Sequence, residues 1–345
     1  MSQEPLRVAI TGCHRQTHRK PGSHNFSTAF DAVPETTIAS VFDFSAETRQ
    51  EFIDCWGEVP SYDNYEKMLD EIQPDIVCIA TRQTMHADQV ELAVERGARG
   101  ILIDKPLATT LEKADRIHEA CLDLAVPLAF GLDRRWLGSY QAIREYLEQG
   151  AIGDVVGASA YALPNLINHG CHWYDTVMLL LGDPVPQWVS GSVNDVSDEP
   201  EDSLRRLDPT GRAQIGFEGD VVASITSAGE SGMSFEILGN QGRMMILNDG
   251  TDVHIWKLNG EEGERARPIS LPDPEEGWPA GPAMVRGLVK AITNGGRTSC
   301  DIEQARRATE IGFAIHESDA AEGAKVDLPL KNRTRRIDSF PWGNE

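Results

Sequence analysis

The sequence predicts an α/β protein with two domains. The N-terminal domain is expected to contain a doubly wound parallel sheet, and the C-terminal domain a large, mostly antiparallel open sheet. The first third of the chain alternates short apolar runs with helical patterns, whereas strand-like runs joined by short turns dominate after about residue 131. A length of 345 residues exceeds what one hydrophobic core usually serves, so we place the domains at residues 1–130 and 131–345.

The predicted parallel sheet has five strands, each a compact apolar run of the kind that is buried on both faces. These runs are Leu6–Ile10, Thr37–Phe42, Ile76–Ala80, Ile101–Ile103 and Val126–Phe130. Helical patterns between them cover Asn64–Ile72, Ala87–Glu95 and Leu111–Ala125. Ligands of such sheets bind beyond the carboxyl ends of the strands, so residues at those ends are the first candidates for a site.

The second domain begins with a predicted helix at Ser139–Gln149 and continues with seven strand-like runs. These runs are Val155–Tyr161, Gln187–Val193, Ala213–Phe217, Val221–Thr226, Ser234–Leu238, Arg243–Leu247 and Val253–Lys257. Two helices close the chain, at Pro282–Thr293 and Ile302–Ala321, with Asp301 as N-cap and Gln304 placed for a capping box. Residues 195–208 and 259–276 are interpreted as solvated loops.

Charge and composition exclude several classes of partner. A formal net charge of −22 repels phosphate backbones and anionic lipids, so neither nucleic acid nor a membrane is expected as a partner. No apolar stretch approaches the roughly 20 residues that span a bilayer, and the start of the sequence lacks signal-peptide features. Six scattered cysteines without a C-x-x-C pair are interpreted as reduced thiols. A cytoplasmic protein is therefore expected.

Gly12 follows the first predicted strand, where a glycine permits a tight turn into a helix N-terminus that binds pyrophosphate. The full G-x-G-x-x-G pattern is absent, because His14 stands at the second glycine position. His14 and Arg15 are basic residues in an acidic protein and can supplement a phosphate site. The alternatives are a solvated basic loop or a metal site. The metal alternative would use Cys13, His14, His18 and His24, whose spacing matches no standard site, so no metal is predicted.

Asp43 ends the second predicted strand. A carboxylate at this position accepts hydrogen bonds from ribose hydroxyls and repels a 2′-phosphate. The residue therefore favours NAD as the cofactor, with NADP still possible. The alternative is a strand-end aspartate that caps the following helix.

Two motifs carry candidate catalytic groups. Lys105, in Asp104-Lys105-Pro106, stands at the carboxyl end of a strand, where its ammonium group can stabilise an alkoxide as hydride is transferred. His172 lies at the start of an apolar helix, and a neutral imidazole there can take the proton of an alcohol. The alternatives are an exposed loop lysine and a histidine packed in the core.

Read together, these motifs resemble the Gfo/Idh/MocA oxidoreductase family. D-K-P at residues 104–106 looks like the family's E-K-P, and T-R-Q-T-M-H at residues 81–86 resembles T-P-x-x-x-H. The stretch from Arg135 to Asp154 is similar to R-F-x-P…G-x-I-G. N-H-G-C-H-W-Y-D at residues 168–175 resembles D-x-G-x-H-x-x-D, and I-L-G-N-Q-G-R at residues 237–243 also fits.

The resemblance implies a Rossmann domain followed by an α/β domain whose open sheet often serves oligomerisation, so a homodimer or homotetramer is expected. It implies hydride transfer between NAD(P) and a secondary alcohol of a sugar, polyol or related small molecule. By position it makes Lys105 and His172 catalytic. It places Thr81, His86 and Asp104 at the nicotinamide side of the cofactor. Arg135 or His169 is expected to contact the substrate.

Departures from the family pattern leave two other functions open. The glycine loop is degenerate and long, and Asn168 stands where the family has aspartate. Asn168 cannot accept a proton, although it can orient His172 through a hydrogen bond. One alternative is a glycoside-cleaving enzyme that uses bound NAD transiently, which net release of NADH would distinguish. The other is a weakly active NAD-binding protein.

Overall fold

The computed structural model describes residues 4–201, 203–229, 232–257, 267–273 and 276–337, apart from the side chain of Leu204. The chain forms two compact units, Met1–Trp136 with Glu275–Arg306 and Leu137–Pro274 with Arg307–Glu345. The sequence predicted a single division between residues 130 and 131. In the structure the first unit also includes residues 275–306, which contain a helix near the end of the chain. That helix packs so closely that a Cβ on Gly100 would lie 2.5 Å from the Cδ1 atom of Ile292.

The first unit contains a six-stranded parallel sheet, and all five predicted strands are present in it. The strands are β1 (Leu6–Thr11), β2 (Thr36–Phe42), β3 (Ser61–Tyr62), β4 (Ile76–Ile79), β5 (Gly100–Ile103) and β6 (Leu128–Phe130). Their order is β3-β2-β1-β4-β5-β6, and every pairing is parallel. This is the order of a dinucleotide-binding sheet, in which the direction of growth reverses at β1.

Five helices alternate with these strands. They are α1 (Phe26–Asp31), α2 (Ala46–Trp56), α3 (Tyr65–Ile72), α4 (His86–Glu95) and α5 (Leu111–Asp123). Helices α3, α4 and α5 were predicted, whereas α2 was not, because its only buried residue is Phe52 and it therefore lacks a clear apolar stripe. Its start is instead marked by Ser45, whose hydroxyl accepts a hydrogen bond from the Thr48 amide at 3.2 Å.

The second unit contains a nine-stranded sheet, which confirms the predicted large and mostly antiparallel architecture. The strands are β7 (Val155–Tyr161), β8 (Pro186–Val193), β9 (Gly211–Phe217), β10 (Val222–Thr226), β11 (Ser234–Gly239), β12 (Gly242–Leu247), β13 (Asp252–Lys257), β14 (Arg267–Pro268) and β15 (Val326–Asp327). Their order is β14-β13-β12-β11-β7-β10-β9-β8-β15. Only β7 and β10 pair in parallel among these described strands.

The remaining helices are α6 (Gly138–Glu148), α7 (Gly170–Leu181), α8 (Leu204–Leu207), α9 (Ala280–Asn294) and α10 (Ile302–Ala320). The predicted N-cap of α10 is confirmed, because the Asp301 carboxylate accepts hydrogen bonds from the Glu303 and Gln304 amides. The capping box is wrong, because the Gln304 side-chain oxygen is buried without a partner among the described residues.

The predicted loop at 195–208 contains the short α8. Of the predicted loop at 259–276, residues 259–266, 274 and 275 lie outside the described residues, and β14 lies within the rest. Among the described helices, none is long and apolar enough to cross a membrane.

Acid stability is expected to depend on His316 of α10. Its Nε2 atom is buried without a hydrogen-bond partner among the described residues. Burial, and secondarily the positive charge of Arg335, lowers its pKa from 6.5 to about 4. Because the unfolded chain then takes up a proton at higher pH than the folded one, the free energy of unfolding should fall as the pH is lowered from 6.5 to 4. The loss should be at most about 3 kcal/mol. Urea unfolding across this pH range should show a shallower decline in His316→Gln, and an unchanged slope would contradict the assignment.

Candidate active site

Gly12 lies at the carboxyl end of β1, between the ends of β2 and β4. Its φ is +83°, and a Cβ at this position would lie 2.4 Å from the carbonyl oxygen of Ala80. Its amide donates to the Phe42 carbonyl at 2.9 Å. Both the backbone conformation and the close approach of β4 therefore require glycine here. This is the point of the sheet at which dinucleotides bind in the parallel folds of this strand order.

The loop after Gly12 does not lead directly into a helix. Helix α1 begins only at Phe26, and its Ser27 and Thr28 amides donate to the side chains of Gln16 and Asn25 at 2.9 and 2.8 Å. The expectation of a helix N-terminus immediately after Gly12 is therefore wrong. The start of α1 is fixed instead by Asn25 as N-cap, and the Gln16 and Asn25 side chains accept the amides of its first turn.

His14 and Arg15 are exposed on this loop and provide cationic groups next to Gly12. Arg19 lies farther along the loop and contacts other side chains. Its guanidinium donates to Asp31 at 3.0 Å and lies 5.0 Å from the ring centroid of Trp56. Within the described residues, no group of three or more His, Cys, Asp or Glu side chains is arranged to hold a metal ion.

Asp43 follows β2, and its carboxylate links the ends of two neighbouring strands. One oxygen accepts the Cys13 amide at 2.8 Å, and the other accepts the Ser45 amide at 3.0 Å. Arg49 donates to the main-chain carbonyls of Asp43 and Phe44 at 2.6 and 3.2 Å. Because a carboxylate can accept about four hydrogen bonds, Asp43 retains capacity for ribose hydroxyls while it fixes the loop after Gly12.

Asp104 and Lys105 follow β5, two strands from β1 in the sheet. The Asp104 amide donates to the Ile79 carbonyl at 2.9 Å, and the Asp104 carboxylate accepts the Lys105 amide at 2.8 Å. The Lys105–Pro106 peptide bond is cis. These contacts fix the main chain from which the lysine side chain extends, at the carboxyl edge of the sheet. Thr81 lies at the same edge after β4, and its hydroxyl donates to the Gln89 side chain at 2.5 Å.

His86 is fully buried and connects the segments after β4 and β5. Its two ring nitrogens lie 3.1 Å from the carbonyl oxygens of Leu107 and Thr81. Burial lowers its pKa, although the carbonyls and the Asp104 charge oppose this effect. Since the ring has no exposed surface, we expect His86 to hold the Lys105 loop in place rather than to contact a ligand.

Asp133 is a candidate that the sequence reasoning missed. It follows β6, and its carboxylate accepts the Trp278 indole N–H at 3.1 Å and lies 3.8 Å from the His24 ring. Burial, with the neighbouring Asp104 charge as a smaller cause, raises its pKa. The same rule that singled out Asp43 and Asp104, a polar residue at a strand's carboxyl end, would have found it.

Arg135, a predicted substrate contact, lies in the 3₁₀ turn Arg134–Trp136 of the first unit. It is 4% exposed, and its guanidinium lies 3.3 Å from the Ser299 carbonyl oxygen, to which it donates. This contact anchors the chain just after β6.

The second unit carries Asn168, His169 and His172 at the start of α7. Asn168 and His172 are buried. The His169 amide donates to the Asn165 side chain at 2.7 Å, and the Asn165 amide nitrogen lies 2.9 Å from His169 Nδ1. The Asn168 side-chain nitrogen lies 3.4 Å from the same ring atom. The His172 amide donates to the His169 carbonyl at 2.9 Å, so the first turn of α7 fixes both histidines relative to each other.

Asp208 is the second candidate that the sequence reasoning missed. It lies in the predicted solvated loop, yet it is only 4% exposed, and its carboxylate accepts the amides of Leu166, Ile167 and Asn168 at 3.2, 2.9 and 2.8 Å. No local pattern indicates these contacts, because the partners are at least 40 residues apart in the sequence.

Comparison with known proteins decides the family. Residues 6–131 match the model of an oxidoreductase family with an NAD-binding Rossmann fold, and residues 162–328 match the C-terminal α/β domain of the same family. The chain belongs to the Gfo/Idh/MocA oxidoreductase family. Membership confirms the predicted family, the fold class and NAD as the cofactor, and it makes the protein an enzyme of the oxidoreductase class.

Two named relatives and one solved structure are similar to this chain. D-glucoside 3-dehydrogenase of Escherichia coli is 25% identical over 55% of this chain, and the chain spans only 58% of that relative. D-apiose dehydrogenase of Paraburkholderia graminis is 28% identical, and the matched region covers 89% of this chain and 87% of that relative. A structure of levoglucosan dehydrogenase with NADH and levoglucosan superposes with a TM-score of 0.77 at 20% identity. It covers 95% of this chain and 100% of that one, a likeness that shows the shared fold.

Proposed function

We propose that the protein transfers a hydride between NAD and a secondary alcohol of a sugar, polyol or related small molecule. The observation that carries this proposal is Lys105, at the carboxyl end of β5 in the NAD-binding unit of an oxidoreductase family. The names of the relatives support the substrate class, because D-glucoside 3-dehydrogenase and D-apiose dehydrogenase both act on sugars.

The residues at the carboxyl edge of the first sheet fit a dinucleotide. Gly12 lets the backbone approach closely, Asp43 offers acceptors for ribose hydroxyls, and His14 and Arg15 offer charge for a pyrophosphate. Thr81 and Asp104 lie beyond β4 and β5, where we place the nicotinamide end. When bound, NAD supplies the carbon that accepts or returns the hydride.

Two side chains carry the proton and charge chemistry in this proposal. The Lys105 ammonium donates a hydrogen bond to the substrate oxygen and stabilises the negative charge that develops on it. The His172 imidazole takes the hydroxyl proton during oxidation and returns it during reduction. Asn168 is neutral and cannot take a proton, so its proposed role is to orient His172 through a hydrogen bond. Arg135 and His169 are proposed to bind other substrate hydroxyls.

The function is tested by following NADH absorbance with the purified protein, NAD⁺ and a panel of aldoses, glycosides, anhydro sugars and cyclic polyols. Steady accumulation of NADH with at least one member is the expected result. Cleavage of a glycoside without net NADH would favour the transient-oxidation chemistry instead. Tight NAD binding without turnover on any member would favour a weakly active binding protein.

Cofactor choice is expected to depend on Asp43. The carboxylate should repel a 2′-phosphate, so wild type should bind NAD⁺ about tenfold or more tightly than NADP⁺. Asp43→Asn removes the charge and keeps one acceptor for the Cys13 or Ser45 amide. The ratio of the NAD⁺ affinity to the NADP⁺ affinity should therefore become smaller. Calorimetric titration of both proteins with both cofactors measures the ratio within each protein, which corrects for any general loss of affinity. Equal affinities in wild type would contradict the role.

The same proposal places the enzyme in the cytoplasm as a homodimer or homotetramer. The widely scattered cysteines fit a reducing compartment. Exposed apolar side chains on adjacent strands of the large sheet, Val156 of β7 and Leu238 of β11, support association through that sheet. Light scattering coupled to size-exclusion chromatography should show a dimer or tetramer, and a monomer would contradict this part of the proposal.

A further inference from the structure

Residues 165–172, which we term the histidine segment, hold Asn168, His169 and His172 and are not part of a strand. The position of such a segment depends on where its backbone hydrogen bonds go. Three of its successive amides, those of Leu166, Ile167 and Asn168, donate to the single carboxylate of Asp208. The next amide, that of His169, donates to Asn165.

The residues after Asp208 bind the same stretch of chain. The Leu166 amide also donates to the Pro209 carbonyl at 2.9 Å, and the Thr210 hydroxyl donates to the Leu163 carbonyl at 2.6 Å. Three consecutive residues, 208–210, therefore lie along the chain that leads into α7. The contact is continuous rather than a single capping bond.

Helix α7 is connected back to the residues that Asp208 holds. The Tyr174 hydroxyl donates to the Leu166 carbonyl at 3.0 Å, and the Cys171 thiol donates to the Asn168 carbonyl at 3.3 Å. A shift of the Leu166–Asn168 backbone would therefore move the first turn of α7, which carries His172. Asp208 controls that backbone from the opposite end of a buried hydrogen-bond network.

Both carboxylate oxygens of Asp208 are acceptors in this arrangement. A carboxylate with only 4% exposure offers acceptors alone, and three amide donors satisfy it. An asparagine at the same position has one acceptor oxygen and one donor nitrogen. Its nitrogen would face either the Asn168 amide or the amides of both Leu166 and Ile167, so the segment must shift or lose hydrogen bonds.

We infer that Asp208 is a positioning residue for catalysis, which holds the histidine segment in the geometry that proton transfer by His172 requires. This inference rests on the proposed function. Asp208 does not itself touch the reacting atoms in this account. Misplacing a reacting group by about 1 Å can cost about 100-fold in rate without abolishing binding, so the effect should appear in kcat.

The test compares Asp208→Asn with wild type in two measurements. In hydrogen exchange followed by mass spectrometry, peptides that cover residues 165–169 should lose protection in the variant, while peptides of β9 and β10 keep theirs. In steady-state kinetics with the most active polyol, kcat should fall about 100-fold, while KM and the affinity for NADH change less than about threefold. A purely structural defect would lower stability and alter all of these constants together.

Asp195→Asn is the matched control. Asp195 is exposed in the same loop, and its carboxylate accepts the Ser197 amide at 2.9 Å, a contact within its own turn. The same chemical change there should leave kcat and the exchange of residues 165–169 unchanged. If Asp208→Asn does not fold, Asp208→Glu keeps the charge but displaces the oxygens, and kcat should still fall with KM retained.

The outcomes separate the two claims. A wild-type protein without activity on the panel overturns the proposed function, and with it the catalytic part of this inference. An active wild type whose Asp208 variants keep full kcat, or keep the protection of residues 165–169, overturns the inference alone. Local loss of protection together with a selective loss of kcat supports it.

Discussion

Replacement of Lys105 by alanine should lower kcat by about 100- to 1,000-fold, because removal of one donor to a developing oxyanion typically has an effect of that size. The Asp104 carboxylate accepts the Lys105 amide and holds the main chain of this residue, so the substitution should leave the loop in place. The affinity for NAD⁺ should change little, since Gly12 and Asp43 hold the other end of the cofactor in this account. Stopped-flow or steady-state NADH formation gives kcat, and calorimetry gives the cofactor affinity.

A second lysine variant controls for the general effect of removing a positive charge from this unit. Lys67→Ala removes an exposed lysine of α3 that pairs with Glu71 on the surface of the same unit, and it should leave kcat unchanged. Lys105→Arg keeps a positive charge but alters its shape, so it should recover only part of the rate. Turnover near the wild-type value in Lys105→Ala would show that the catalytic assignment is mistaken.

Replacement of Gly12 by alanine should destabilise the first unit and abolish detectable NADH binding. The left-handed backbone alone costs about 1–2 kcal/mol for a non-glycine residue. The added Cβ would also lie 2.4 Å from the Ala80 carbonyl oxygen and 2.8 Å from the Thr81 nitrogen. Since these are backbone atoms of a buried strand end, relief requires movement of β1 or β4, and overpacking of this kind costs about 1–3 kcal/mol more.

Gly97→Ala is the control for the cost of the left-handed backbone conformation alone. Gly97 has a φ of +89°, but a Cβ there would meet no atom within 4 Å. Urea unfolding should therefore show a smaller loss for Gly97→Ala than for Gly12→Ala, and titration with NADH should show wild-type affinity for Gly97→Ala. Equal losses of stability in the two variants, or normal NADH binding by Gly12→Ala, would contradict the packing argument.

The parallel sheet could be predicted from the sequence because its strands are buried on both faces and appear as continuous apolar runs. The same pattern located Gly12, Asp43 and Asp104 at strand ends, since the carboxyl edge of the sheet follows directly from the strand assignment. Asp133 satisfies the same rule more loosely, because it lies three residues beyond the end of β6. The roles of these site residues stay predictions.

Other features depend on contacts that no local pattern encodes. A helix start was expected after Gly12, but α1 begins only at Phe26, where Asn25 is the N-cap. The return of α9 to the first unit depends on the small size of Gly100 against Ile292. Asp208 lies in a polar stretch that is typical of a solvated loop, and only the folded chain brings it to the histidine segment. Burial of a charged residue within such a stretch cannot be deduced from composition.

Transfer of deuterium tests the central claim most directly. Enzyme, NAD⁺ and a turned-over polyol deuterated at its carbinol carbons are mixed, and the nicotinamide product is analysed by mass spectrometry and NMR. Hydride transfer predicts that each NADH formed carries one deuterium at C4 of the nicotinamide, in step with one oxidised carbinol. Release of the label to water without net NADH, or turnover without label in the cofactor, would contradict the account.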